Sequence, residues 1–181
     1  MKYLKYLQYN SNVILTYFFI SLGVLLLSNL TKGKSNHFFS TGRSNMFNPI
    51  TYFTHVLGHQ NYNHFRNNFL YILLIGPMIE EKYGSINLIK MILITAIVTA
   101  IINMIVSKKQ ILGASGIVYM LILLSSLVNF EAGKIPLTLI LIFIFYIVTE
   151  IKDGLFKKDN ISHPAHLIGA ICGFIMGYYL F

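Results

Sequence analysis

The stretch Leu112-Gly113-Ala114-Ser115-Gly116-Ile117-Val118-Tyr119-Met120-Leu121 places one serine among small residues at the mouth of an apolar run. A serine before a helix often does no more than cap it, accepting a hydrogen bond from the first-turn amides. A hydroxyl at the entrance to an oily segment can also be a nucleophile. Which reading holds depends on where the run lies and on what surrounds it.

The run Ser115–Phe130 lies in a chain of 181 residues that is 55% hydrophobic and 11% charged. Soluble domains carry about a quarter charged residues. Composition therefore indicates an integral membrane protein, long enough for about six spans of roughly 20 residues. The apolar segments are 13–30, 52–79, 86–106, 115–130, 137–151 and 165–181, with a long first loop over 31–51. Backbone polar groups in lipid must be paired within the segment, so the spans are helices and the fold class is all-α, one domain over 1–181. The fourth segment covers only about 24 Å, less than the ~30 Å of hydrocarbon, so it starts below one membrane surface.

The net charge of +8 has no accompanying basic stripe on a soluble face. It points to anionic lipid headgroups as partners and away from nucleic acid. The lone cysteine, Cys172, lies in an apolar segment and forms no intramolecular disulfide. The first apolar run follows Lys2 and Lys5 and has no small-residue cleavage site, which predicts a retained span and not a removed signal peptide.

Polar residues crowd the entry to the second segment in Phe53-Thr54-His55-Val56-Leu57-Gly58-His59-Gln60-Asn61-Tyr62-Asn63-His64-Phe65-Arg66-Asn67-Asn68. Such side chains at membrane depth are expensive and mark a wet interior with a function. His64 and Asn68 are four apart and share one helix face. In the last segment His166 is followed by Gly169, Gly173 and Gly177, a smooth strip that allows close helix approach. His166 borders that strip, so it can meet a serine on the neighbouring helix.

These residue types fit acyl transfer. A serine hydroxyl attacks a carbonyl only when a base takes its proton, and a neutral imidazole can do so. The oxyanion that forms needs fixed donors, which His64, Asn68 and the Ser115 amide can supply. The last segment holds no Asp or Glu to orient His166, so no third triad member is apparent, and Tyr119 can hold the imidazole by ring packing instead. Metal is not expected: His55, His59 and His64 have no nearby carboxylate, and the H-E-x-x-H pattern is absent. His55 and His59 are read as packing or hydrogen-bonding residues near the wet entry, and His163, before Pro164, as a loop residue.

From Tyr52 to the C-terminus the pattern resembles the rhomboid family of intramembrane serine proteases. The resemblance implies a six-helix bundle whose short fourth helix begins at the catalytic serine. Gly113-Ala114-Ser115-Gly116 matches the family's G-x-S-G motif, which implies Ser115 as nucleophile, with His166 completing a dyad as general base. His64 and Asn68 match the H-x-x-x-N pair that binds the oxyanion, and Gly113 and Tyr119 complete the site residues. Glu80 and Gly84 match the E-x-x-x-G ending of the second helix. Many relatives carry a Trp-Arg pair in the first loop; this sequence has no tryptophan, Ile50-Thr51 stand there, and Arg43 is not assigned that role.

The implied substrates are transmembrane helices of other proteins, in a multi-pass protein of a bacterial cell (inner) membrane, with no cofactor and no metal. Lysine and arginine favour the first, third and fifth loops (Lys32, Lys34, Arg43, Lys108, Lys109, Lys152, Lys157, Lys158) over the opposite side (Lys2, Lys5, Lys82, Lys90, Lys134). That bias would put the first loop in the cytoplasm. The resemblance puts both termini there instead, with the site opening outward, and is the orientation adopted. The competing functions are an inactive rhomboid-like protein that binds transmembrane helices and a small transporter. The first predicts loss of the serine or histidine; the second predicts inverted repeats and intramembrane charges, of which only Arg66 is seen.

Overall fold

A computed structural model describes residues 7–131, 133–157 and 161–180; Lys2, Lys5, Lys158 and the final Phe181 lie outside the described residues. Among the described residues every regular element is a helix. Helix α1 is Asn12–Leu30, α2 is the single turn Thr51–Thr54, α3 is Tyr62–Tyr83, α4 is Ser85–Val106 and α5 is Ser115–Leu127. Helix α6 (Leu137–Ile142) runs through a π-helical segment, Phe143–Ile147, into α7 (Val148–Phe156). Helix α8 (His163–Ile175) also passes into a π-helical end, Met176–Leu180. Among the described residues the β pairing is limited to one antiparallel bridge, Thr41 with Ile111.

The long second helix begins at Tyr62, well inside the polar stretch, and not at Tyr52 where the apolar pattern opens. Asn61 sets this start: its side chain accepts from the His64 amide at 2.9 Å, satisfying a donor of the first turn. Residues 55–61 instead form a compact turn held against the loop before α5. Gly58 has no room for a side chain there, since a Cβ would fall 2.3 Å from Leu112 and 2.7 Å from the Phe39 carbonyl.

Among the described residues, two helices, α1 and α4, are long and apolar enough on their own to cross a bilayer. The polar entry of α3 dilutes its hydropathy, α5 has only 13 residues, and the helix following Pro136 changes pitch at its π segment. Leu30, Leu74, Phe145 and Leu155 are among many large apolar side chains that lie exposed. A surface of this kind is stable only when lipid or a partner covers it.

Helix α5 is the centre of the molecule. Ten of its thirteen residues are buried, on every face, which is the signature of a helix enclosed by others. It packs against α8, α3, α4 and α6. Two polar devices fasten the surrounding helices. The Glu80 carboxylate in α3 accepts from the amides of Val13 (3.0 Å) and Ile14 (3.2 Å) and from the hydroxyls of Ser85 (2.7 Å) and Ser11, so it caps the start of α1. Gly84, at φ +81°, then ends α3 and begins α4. At the other end of α4, Arg43 donates from Nε to the Met104 carbonyl and from Nη2 to that of Ile105, both at 2.7 Å. These are last-turn carbonyls with no partner inside the helix.

Candidate active site

Ala114, and not Ser115, occupies the cap position of α5, so the simplest alternative role for the serine does not describe it. Ser115 is the first helical residue. Its Oγ lies 2.8 Å from Nε2 of His166 in α8. The turn that delivers Ser115 depends on Gly113, whose φ of +131° is a conformation side chains rarely adopt. Its amide donates to the His55 carbonyl at 2.9 Å, and a Cβ would fall 2.6 Å from Cε1 of His64.

The serine and histidine meet because α5 and α8 approach with almost nothing between their backbones. A Cβ on Gly169 would stand 2.1 Å from the Gly116 carbonyl oxygen, and one on Gly173 2.3 Å from that of Met120. His166 lies one turn before this contact and faces Ser115. The start of α8 is also tied to α4, since Ser162 Oγ donates to Asn103 Oδ1 at 2.7 Å. Asn103 Nδ2 in turn donates to the Lys109 carbonyl at 2.9 Å, fixing the loop that leads to Ser115.

Tyr119 lies one turn after the serine, and its ring stacks on that of His166, centroids 4.6 Å apart and 12° from parallel. Its hydroxyl donates to Oε2 of Glu150 at 2.5 Å. Oε1 of the same carboxylate accepts from Nδ1 of His166 at 2.6 Å and from Nδ1 of His163 at 2.6 Å. With Nδ1–H of His166 donating to the carboxylate, Nε2 carries the lone pair and accepts a hydrogen bond from the Ser115 hydroxyl. That is the tautomer a general base needs.

Two expectations change here. His163 is not a loop residue: it is buried at the first position of α8 and bonded to Glu150. An acid does face His166, from α7 and not from its own helix. The signal for it was present, since Glu150 is the only carboxylate within the apolar run 137–151 and an ionisable group at membrane depth is a functional candidate by default. Glu150, His163 and His166 also bring three possible metal-ligand atoms within 4.8 Å of one another. Both Nδ1 atoms already donate to the carboxylate, so a cation there would have to displace those protons.

His64 and Asn68 face Gly113 from α3. Together with Ser115 and His166 they line a cavity of about 610 Å³, which also reaches His55 and Gln60. Asn68 is buried, and its Nδ2 finds no hydrogen-bond partner among the described residues. An unpaired buried donor is costly, on the order of 1–3 kcal/mol, and is retained where something else is to be bound. His55 and His59 lie in the turn before α3, donating from Nδ1 to the carbonyls of Thr51 and Leu57, both at 3.2 Å. Both side chains are buried, which marks them as scaffold groups.

An all-helical bundle with an apolar exterior, enclosing a serine hydrogen-bonded to a histidine beside a polar cavity, defines the class: a helical membrane protein with a buried polar site. The chain belongs to the rhomboid family, whose domain model matches residues 46–181. It is similar to Rhomboid protease GlpG of Haemophilus influenzae, 25% identical over 130 residues that cover 70% of this chain and 67% of that protein. It is also similar to Rhomboid-like protein 11, chloroplastic, of Arabidopsis thaliana, 24% identical over 137 residues. That alignment covers 67% of this chain and 49% of the plant protein, so the chain spans about half the length of that relative.

Proposed function

We propose that this chain is an intramembrane serine endopeptidase that cleaves transmembrane helices of other proteins through an acyl-enzyme. The observation that carries the reading is the 2.8 Å contact between Ser115 Oγ and His166 Nε2 at the edge of the cavity. In this reading the six long helical runs span the membrane, α6 and α7 forming one of them, and the protein resides in a bacterial cell membrane. Its partners are membrane-protein substrates and lipid.

The steps follow from the geometry. Ser115 gives its proton to His166 Nε2 as Oγ attacks the scissile carbonyl carbon. The carbonyl oxygen becomes an oxyanion, held by Asn68 Nδ2, by His64 and by the Ser115 amide, one of the first-turn donors without a partner in its own helix. His166 then hands the proton to the departing amine as the C–N bond breaks, leaving the acyl group on Oγ. Water from the cavity adds to the ester carbonyl, losing a proton to His166, and the acid product leaves as Oγ is reprotonated. A substrate helix must unwind locally to present its carbonyl, since a paired backbone shields it, so small or helix-breaking residues near the cut favour cleavage.

The test is the purified chain in proteoliposomes with a single-span reporter substrate. Cleavage by the wild type and none by Ser115→Ala supports the reading. Cleavage surviving in Ser115→Ala overturns it, and a wild type that binds the reporter without cutting it favours an inactive, helix-binding relative. In the same assay Asn68→Ala is expected to lower kcat about 10²- to 10³-fold with little change in KM. Its thermal midpoint should not fall, because Nδ2 has no partner among the described residues.

A further inference from the structure

Among the described residues, Glu150 is the one buried acid that contacts the serine–histidine pair. We propose that Glu150 is a positioning residue for the reaction: its carboxylate, supplied by α7, fixes the tautomer and rotation of His166 and stabilises the imidazolium formed when Ser115 is deprotonated. The inference rests on the endopeptidase reading and extends it from two residues to three, Ser115–His166–Glu150.

Three features separate this role from that of an ordinary helix-to-helix fastener. The first is direction. Oε1 meets the imidazole at Nδ1, the nitrogen opposite the one facing Ser115. A donor–acceptor line thus runs from the serine hydroxyl through the ring to the acid. The second is saturation. The carboxylate accepts from His166 and His163 at Oε1 and from Tyr119 at Oε2, and these donors match an ionised acid, which has acceptors only. The third is rigidity. Tyr119 holds the imidazole by stacking and the carboxylate by its hydroxyl, so one side chain of α5 sets the geometry of both partners.

The chemical consequence follows. While His166 is neutral, its Nδ1–H donates to the acid. When the ring takes the Ser115 proton at Nε2, the same contact becomes a charge-assisted ion pair with no movement of atoms. Glu150 takes no proton at any step; the serine proton rests on Nε2 until the amine accepts it. The side chains, 13% exposed for His166 and 8% for Glu150, leave little solvent to screen this attraction.

The experiment measures kcat and KM for the reporter substrate, and the rate of Ser115 labelling by a fluorophosphonate, on the full chain in proteoliposomes. Glu150→Gln keeps the shape but removes the charge, and can turn its amide toward Nδ1 to impose the wrong tautomer. The expected result is a fall in kcat of about 10²- to 10⁴-fold with KM within about twofold, and a comparable loss in labelling rate. A kcat within about twofold of wild type, while Ser115→Ala is inactive, overturns the role of Glu150 and leaves the endopeptidase reading standing. A wild type that neither cleaves nor labels fails the endopeptidase reading itself. Should Glu150→Gln not fold, Glu150→Asp decides. It keeps the charge but withdraws it by one methylene, so labelling should slow by at least about tenfold at an unchanged thermal midpoint. A labelling rate equal to wild type would overturn the proposal.

Discussion

Replacing His166 by alanine is expected to reduce kcat as far as Ser115→Ala does, about 10⁴-fold or more, and the double replacement should lower it no further. Residues that act as a unit lose nearly everything with the first removal. Without the imidazole the Ser115 hydroxyl loses its acceptor, Nε2 of His166, 2.8 Å from Oγ. His163 does not replace it: its Nδ1 is engaged with Glu150. Substrate binding depends on the cavity and the exposed helix faces, so KM should change little. Turnover of the reporter by the two single variants and the double variant checks this. Additive losses would mean that serine and histidine act independently.

The second large effect is structural. Gly169→Ala is expected to lower the thermal midpoint in detergent by several degrees and to remove most activity. The added methyl would lie 2.1 Å from the carbonyl oxygen of Gly116, and 2.8 and 3.0 Å from its carbonyl carbon and Cα. All three atoms are backbone of a buried helix, so no side chain can turn aside; the helices must separate. Overpacking of this kind costs about 1–3 kcal/mol or more, which for a chain of this size is several degrees. The same movement draws His166 from Ser115, so activity falls beyond what stability alone dictates. Gly23→Ala in α1 is the control. An added methyl there would meet nothing within 4 Å, and alanine favours a helix by about 1 kcal/mol, so its midpoint should hold or rise.

Much of the site was legible because its residues sit at helix spacings. His64 and Asn68 four apart, Ser115 and Tyr119 four apart, and His166 ahead of the glycine strip each define one helix face. The structure brings His64, Asn68, Gly113, Ser115 and His166 to one cavity, with Tyr119 stacked on the His166 ring. Glycine alone permits the contact between α5 and α8, so the strip predicted which helices would touch. Glu150 was harder to place, because its register relative to His166 is set by how α7 packs on α8 and no local spacing encodes that. The start of α3 at Tyr62 was obscured for another reason. Apolar residues such as Phe53, Val56 and Leu57 continue the hydrophobic pattern upstream, while Asn61 breaks the helix through a capping bond that periodicity does not register. The role of Glu80 as cap to α1 is likewise a contact between residues 66 to 69 positions apart.

The most direct measurement is covalent capture of the serine. The purified protein in lipid is treated with a fluorophosphonate, and the modified residue is located by peptide mass spectrometry in the wild type and in His166→Ala. The account predicts a single adduct on Ser115 in the wild type and its loss in His166→Ala. An adduct forming on Ser115 at the same rate without the imidazole, or none forming on Ser115 in a wild type that cleaves its substrate, would contradict it.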